Sequence, residues 1–393
     1  MSIQSFFKSA VICALTLTLC ISTQSVMAQK SEKKKKAKKE AVSDPRLLKV
    51  MSMTKSTKEP QFVKRGVYMR TQYRAGQGVA VSPDESTIYY SQPGDINGNK
   101  PGFTRVHENY IVRTKDGKKD FMTLRYFGNA NSIAVEHAAD GDYVWVSSNG
   151  SKFNGAYGHT RTISRVKYEA GAEHNNGYTG ETYYMGGARY CWPALDVEND
   201  ILGVITQSRG EVTVNIYNLS EARALPETEV KIKTTWKGET LNEPEETVVR
   251  TVKCKDLTTL EPLSSFVIPK PDKETADVTK DINSYAFRAW DVDKDYVYFV
   301  EGRHNAGNMK ANGPSRAFIT VFDYAGRVAL ERRRIQSVHD QYLLESMSIT
   351  PYGYADVAGL CVNKENMYVM FSVNNKTTRE GFKNGFRAVT IRY

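Results

Sequence analysis

The stretch Ala289-Trp290-Asp291-Val292-Asp293-Lys294-Asp295-Tyr296-Val297-Tyr298-Phe299-Val300-Glu301 holds half a unit of the fold. A short apolar run ends in Val292. The polar turn Asp293-Lys294-Asp295 follows, then a second run rich in aromatic and β-branched residues. Asp, Asn, Gly and Pro between two such runs are hairpin chemistry. The opening recurs four more times: Gly78-Val79-Ala80-Val81, Ser132-Ile133-Ala134-Val135, Ala194-Leu195-Asp196-Val197 and Gly359-Leu360-Cys361-Val362. Successive openings lie 54, 62, 95 and 70 residues apart. Each is followed by its own turn: Ser82-Pro83-Asp84-Glu85-Ser86, Asp140-Gly141-Asp142, Glu198-Asn199-Asp200 and Asn363-Lys364-Glu365-Asn366.

The pattern extends outward from each hairpin. Second strands are expected at 88–91, 143–147, 201–206, 296–301 and 367–373. After a longer polar loop, third strands are expected at 110–113, 162–168, 212–217, 318–322 and 386–392. Residues 122–127 and 329–335 serve as fourth strands. Four antiparallel strands per unit, repeated radially, describe an all-β chain folded as a β-propeller of five blades. The period exceeds the usual ~40–50 residues because the loops between second and third strands are long. Apolar residues alternate or run in short blocks, so helical periodicity is nearly absent. A two-sheet sandwich would not explain five such openings, each leading into a polar hairpin. Val81, Val135, Val197, Val292 and Val362 are expected to be buried in equivalent first strands. The 95-residue gap carries an insertion at 222–284, rich in Glu, Lys, Thr and Pro, read as an excursion from the third blade. The alternative count is six blades, with a degenerate blade inside that insertion.

The 393 residues, 40% hydrophobic and 25% charged, with 23 Tyr and 15 Phe, exclude wholesale disorder, collagen-like and coiled-coil classes. Residues 1–28 read as a secretory signal: Lys8, an apolar stretch at 10–21, and Val26-Met27-Ala28 before Gln29. That stretch is too short for a bilayer-spanning helix, which needs about 20 apolar residues. No later run is longer, so no membrane span is expected. Acylation at Cys20 is disfavoured because Leu19 before it is not small. Exported protein, periplasmic or extracellular, is the expectation. Residues 29–60 read as a basic flexible linker and 61–393 as the propeller.

Eight lysines against two glutamates in residues 1–40 supply +6 of the net charge of +10. The basicity is therefore mostly a solvated tail without interleaved aromatics, not the basic folded face that nucleic acid requires. The mature chain keeps Cys191, Cys254 and Cys361, an odd number with no CxxC spacing. Export permits one disulfide, and the sequence leaves the pairing open. No metal, nucleotide or hydrolase motif is present, and the six His lack metal-ligand spacing, so neither cofactor nor metal is expected.

Propeller geometry brings the long loops and the segments entering the first strands to one rim. The entering segments carry Gln77, Asn131, Trp192, Arg288 and Asp356, expected to ring the mouth of the central channel. Amides, Arg and Asp form directional hydrogen bonds to hydroxyl or carboxylate groups, and Trp offers an apolar face. Alternatively, Arg288 and Asp356 pair with each other and seal the channel. The long loops add His159, Arg303 and His304. The expected partner is a glycan or envelope polymer, bound by a monomer. A carbohydrate-active hydrolase or lyase and a protein-binding scaffold are the competing functions.

Several stretches resemble the helveticin J family of secreted, bacteriocin-like proteins. They are Ser147-Ser148-Asn149-Gly150, running through Phe153-Asn154-Gly155-Ala156-Tyr157-Gly158-His159 into Ile163-Ser164-Arg165-Val166; Ala80-Val81-Ser82-Pro83-Asp84; Val214-Asn215-Ile216-Tyr217-Asn218-Leu219; and residues 362–393. The resemblance covers residues 70–393 in pieces. It implies a secreted propeller with a bacteriocin- or lectin-like role at cell surfaces, and transfers no catalytic residues. The chain departs from that family in its insertion, lysine tail and signal peptide. Val297-Tyr298-Phe299-Val300 and Thr320-Val321-Phe322-Asp323-Tyr324-Ala325-Gly326 also resemble six-bladed propellers of Bacteroidetes exported proteins.

Overall fold

A computed structural model describes residues 42–55, 60–70, 74–94, 108–128, 130–153, 156–208, 211–237, 245–269, 286–303, 316–335, 345–347, 354–364, 366–374 and 386–393. The signal segment, the lysine tail and His304 lie outside the described residues. In chain order the elements begin with helix α1 (Pro45–Ser52) and strand β1 (Gln61–Tyr68). Blade 1 comprises β2 (Gly78–Val81), β3 (Thr87–Pro93), β4 (Glu108–Lys115) and β5 (Lys118–Arg125). Blade 2 has β6 (Ala134–Ala138) and β7 (Gly141–Ser148), a rim hairpin β8 (Ser151–Phe153) and β9 (Ala156–His159), then β10 (Thr162–Lys167). A short strand β11 (Glu173–His174) pairs back onto β5, and β12 (Thr182–Tyr184) completes blade 2. Blade 3 has β13 (Tyr190–Asp196), β14 (Ile201–Ser208) and β15 (Glu211–Asn218). Helix α2 (Leu219–Ala224), β16 (Glu227–Lys237) and β17 (Glu245–Asp256) follow, and β18 (Ser264–Val267) returns to blade 3. Blade 4 is β19 (Ala286–Val292), β20 (Tyr296–Arg303), β21 (Arg316–Asp323) and β22 (Val328–Arg334). Blade 5 is β23 (Tyr354–Asn363), β24 (Asn366–Asn374) and β25 (Arg387–Arg392), with β1 as its outermost strand.

The fold is thus a five-bladed β-propeller, and the described residues of the insertion form no sixth blade. The innermost strands β2, β6, β13, β19 and β23 touch in a closed ring. Second strands are buried on both faces, which is why 88–91 and 367–373 are nearly continuous apolar runs. Outer strands such as β22 are mostly exposed or half-buried, because they border water. Four apolar clusters fill the gaps between neighbouring blades. They fix the repeat register: Val79 and Val81 pack towards blade 5, whereas Ala80 packs towards blade 2. Serine bridges tie second strands to the next blade. Ser91 Oγ donates to Ala130 O at 2.6 Å, and Ser372 Oγ accepts Gly76 N–H at 3.1 Å.

Four expectations need correction. Val81 and Val292 are buried and Val135 and Val362 half-buried, but Val197 is 43% exposed. In blade 3 the hairpin starts a residue early: Asp196 pairs with Ile201, where Val292 pairs with Val297 and Val362 with Met367. The segment 29–60 is not linker throughout: α1 and the turn after it bury Leu47, Val50 and Met53, so the compact unit begins at Pro45, ahead of the first propeller strand at Gln61. The inserted hairpin leaves blade 3 in sequence but docks on blade 2, where β17 pairs parallel with β12. Charge explains that choice. Glu136 of blade 2, 6% exposed, accepts hydrogen bonds from Trp145 Nε1 (3.2 Å), from Arg165 Nε (2.8 Å) and from Arg223 of α2. Finally, residues 264–267, inside the expected insertion, are the fourth strand of blade 3.

Candidate functional site

The mouth is built from the first-strand approaches. Gln77, Asn131 and Arg288 each stand one residue before their opening motif, whereas Trp192 stands two before and Asp356 three before. The five therefore do not form one ring at one depth. Arg288 is also displaced sideways. It is the extra residue of a β-bulge between Phe287 and Ala289, and a bulge re-aims the side chain it carries. Its Nε lies 3.6 Å from Asp356 Oδ2 of blade 5, with Asp356 almost fully buried. The structure thus brings Arg288 and Asp356 together, as the pairing alternative anticipated. Gly302 leaves the room: a Cβ there would lie 2.4 Å from Arg316 O and 3.3 Å from Arg288 Cγ.

Trp192 does not offer an open face. It is 3% exposed and stacks on Phe287 of blade 4 (centroids 4.4 Å, interplanar 5°) and on Tyr190 (5.4 Å, 10°). β alternation places Tyr190 and Trp192 on the same side of β13, towards blade 4. His159 at the end of β9 meets Tyr190 edge-on at 4.9 Å. Burial, with Arg189 and Arg161 nearby, holds its imidazole below the usual range, so it is neutral at pH 7. The stack runs from half-buried His159 and Tyr190 to buried Trp192, with half-buried Phe287 of blade 4 on the far side of the Trp192 ring. Tyr190 was missed by the sequence reading; its signal is the i, i+2 aromatic pair Tyr190-Cys191-Trp192 in a strand.

Gln77 is half-buried, and its Oε1 is buried with no hydrogen-bond partner among the described residues. Its backbone N–H is used by Ser91 O. Asn131 is half-buried before β6. Arg303 ends β20. Glu301 is claimed by Arg332 of β22. Cys191, Cys254 and Cys361 are free and buried, which settles the open disulfide question. Burial pushes the Cys191 thiol up to about 12 and Cys254 to about 11, so neither is a nucleophile at neutral pH. Among the described residues no His, Cys, Asp or Glu group has metal-holding geometry. No described helix is long and apolar enough to cross a membrane. The mouth can thus supply amide and guanidinium hydrogen bonds and an aromatic edge.

A scan against protein-family models finds no match, and no curated protein matches the chain. Among solved structures, a GH43_1 enzyme from Xanthomonas citri aligns over 84% of this chain and 90% of its own, with 9% identity and a TM-score of 0.34. Drosophila Semaphorin 2a aligns over 83% of this chain and 53% of its own, with 10% identity and a TM-score of 0.30. No residue role is carried over from either.

Proposed function

We propose that the mature chain is an exported propeller that binds a glycan or cell-envelope component at its mouth, in the lectin- or bacteriocin-like manner that its sequence resemblance implies. The observation that carries this reading is the bulge-borne Arg288. It is held beside Asp356, and the same rim carries the unpartnered Gln77 Oε1 and the half-open Tyr190. Directional polar groups next to an aromatic edge suit a polyhydroxylated ring. Binding is favoured over hydrolysis. A glycosidase needs one carboxyl kept protonated and a second carboxylate roughly 5–9.5 Å away. Here the two mouth carboxylates, Asp356 and Glu301, are each taken up in an ion pair, with Arg288 and Arg332 respectively, rather than left facing each other. A glycan array with mature protein, run beside a reducing-sugar release assay, tests this. Retention of glycan without product release is expected. Product release that is lost in Asp356→Asn would replace the binding reading with an enzymatic one.

A further inference from the structure

The ring closes where β1, early in the chain, completes blade 5. Beside that joint a cavity of about 320 Å³ opens on the outer wall of the propeller. Its lining is Arg70, just past β1, Val112 of β4, Lys119, Asp120 and Phe121 of β5, and Gly171. The apolar cluster between blades 5 and 1 holds buried Val67, Met69 and Val112, with Tyr110 and Phe121 half-buried against it. Exposed Arg70 and Lys119 place the cavity outboard of that core. Gly171 adds no side chain to narrow it, and a Cβ there would meet nothing within 4 Å.

Arg70 is held in place without being neutralised. Its guanidinium lies 4.3 Å from the centre of the Phe121 ring and 5.9 Å from that of Tyr110. Such a contact uses the flat face of a guanidinium and leaves the N–H groups of its edge available. Among the described residues Arg70 enters no ion pair. Lys119 Nζ donates to Tyr68 O at 2.9 Å. That acceptor is neutral, so it takes one of the three N–H donors and leaves the charge in place. The acid on the wall is committed elsewhere. Asp120 accepts from Arg113 at 2.7 and 3.1 Å and from the Tyr168 hydroxyl at 2.6 Å. Two cations with donors to spare therefore border a floor of Val112 and Phe121. A carboxylate fits a guanidinium fork in its plane, and an apolar group attached to it would cover the floor. An inorganic anion would leave that floor wet, and a neutral apolar molecule would leave the fork unused.

We propose that this cavity binds a small carboxylic acid with an apolar body, its carboxylate met by Arg70 and Lys119 and its body seated on Val112 and Phe121. The site is on the outer wall, apart from the mouth, and goes beyond the glycan reading. The test is calorimetric titration of the mature protein with 3-phenylpropanoate and hexanoate, which carry a ring and an open chain. Three further molecules each lack one element: 3-phenylpropanol the charge, acetate the body, and sulfate both the carboxylate and the body. The variants are Arg70→Gln, Lys119→Gln and Arg65→Gln. Arg65 is also an exposed guanidinium on a ring, 4.8 Å over Phe62, but it does not line the cavity, so it controls for general attraction and for the stack itself. Saturable binding of at least one of the two long acids is expected, with the three truncated molecules about tenfold weaker or more. Arg70→Gln should weaken binding about tenfold, Lys119→Gln about threefold, and Arg65→Gln less than twofold. Arg70 is exposed, so Arg70→Gln should melt as wild type does. No saturable binding of either long acid would overturn the proposal. So would equal affinity for acetate, sulfate or 3-phenylpropanol, or equal losses in Arg70→Gln and Arg65→Gln. None of these results bears on glycan binding at the mouth, which the array tests by itself.

Discussion

Replacing Trp192 separates a structural aromatic from a ligand-stacking one. The ring is 3% exposed and stacks on two neighbours, Phe287 across the blade gap and Tyr190 along its own strand. Trp192→Ala removes a fully buried large side chain, at about 3–5 kcal/mol. The two stacking contacts are worth roughly 0.5–1.5 kcal/mol each and form part of that loss. For a domain of this size the melting temperature should fall by roughly 5–10 °C. Trp192→Phe keeps a ring against Phe287 and should cost less than half as much. Differential scanning calorimetry of the two variants, beside glycan titration, measures both consequences. Lost binding with a melting temperature within about a degree of wild type would refute the buried-stack argument. Trp192 would then have to be an open binding face.

Three further outcomes follow from particular residues. Asp291 is buried in the inner ring and accepts Val362 N–H at 2.6 Å and Val292 N–H at 2.9 Å; burial first, and then Asp196 and Asp293, raise its carboxyl well above the ordinary 3.8. A raised folded-state value means its contribution is fully present below the unfolded value and lost as pH rises through the folded one. Asp291→Asn should therefore gain stability relative to wild type as pH rises above about 4, and urea midpoints of the two proteins that run parallel from about pH 4 upward would contradict it. Val292→Asp should destabilise by several kcal/mol, whereas Val197→Asp, at an exposed turn, should stay within about 0.5 kcal/mol. Glu136→Ala strips Arg165, Arg223 and Trp145 of a buried acceptor and should cost about 3 kcal/mol in denaturant unfolding. A change below 1 kcal/mol would mean that the inserted hairpin is not anchored there.

The blade pattern was legible because each first hairpin is local: Val292, three polar residues and Tyr296 suffice to specify it. The closing strand β1 was not, because an outermost strand carries no small-apolar-Val opening and pairs with β25 more than 300 residues away. Strand β18 was hidden for a similar reason. It is four residues long and separated from its blade by the inserted hairpin, whose docking depends on ion pairs between blade 2 and α2. The mouth was half legible. Residue types before each opening pointed to it, and Arg288 and Asp356 do meet. A bulge cannot be counted from spacing, so depth and direction were misjudged: Trp192 sits inside the stack and Tyr190 takes its rim position.

The most direct test is a crystal structure of the mature protein with a glycan selected on the array. Density within hydrogen-bond distance of Gln77, Asn131 or Arg288, with a sugar ring against Tyr190, is the expected result. A glycan seated instead on the hairpin face, among the turns that carry Asp84, Asp140 and Asp200, would contradict a binding mouth.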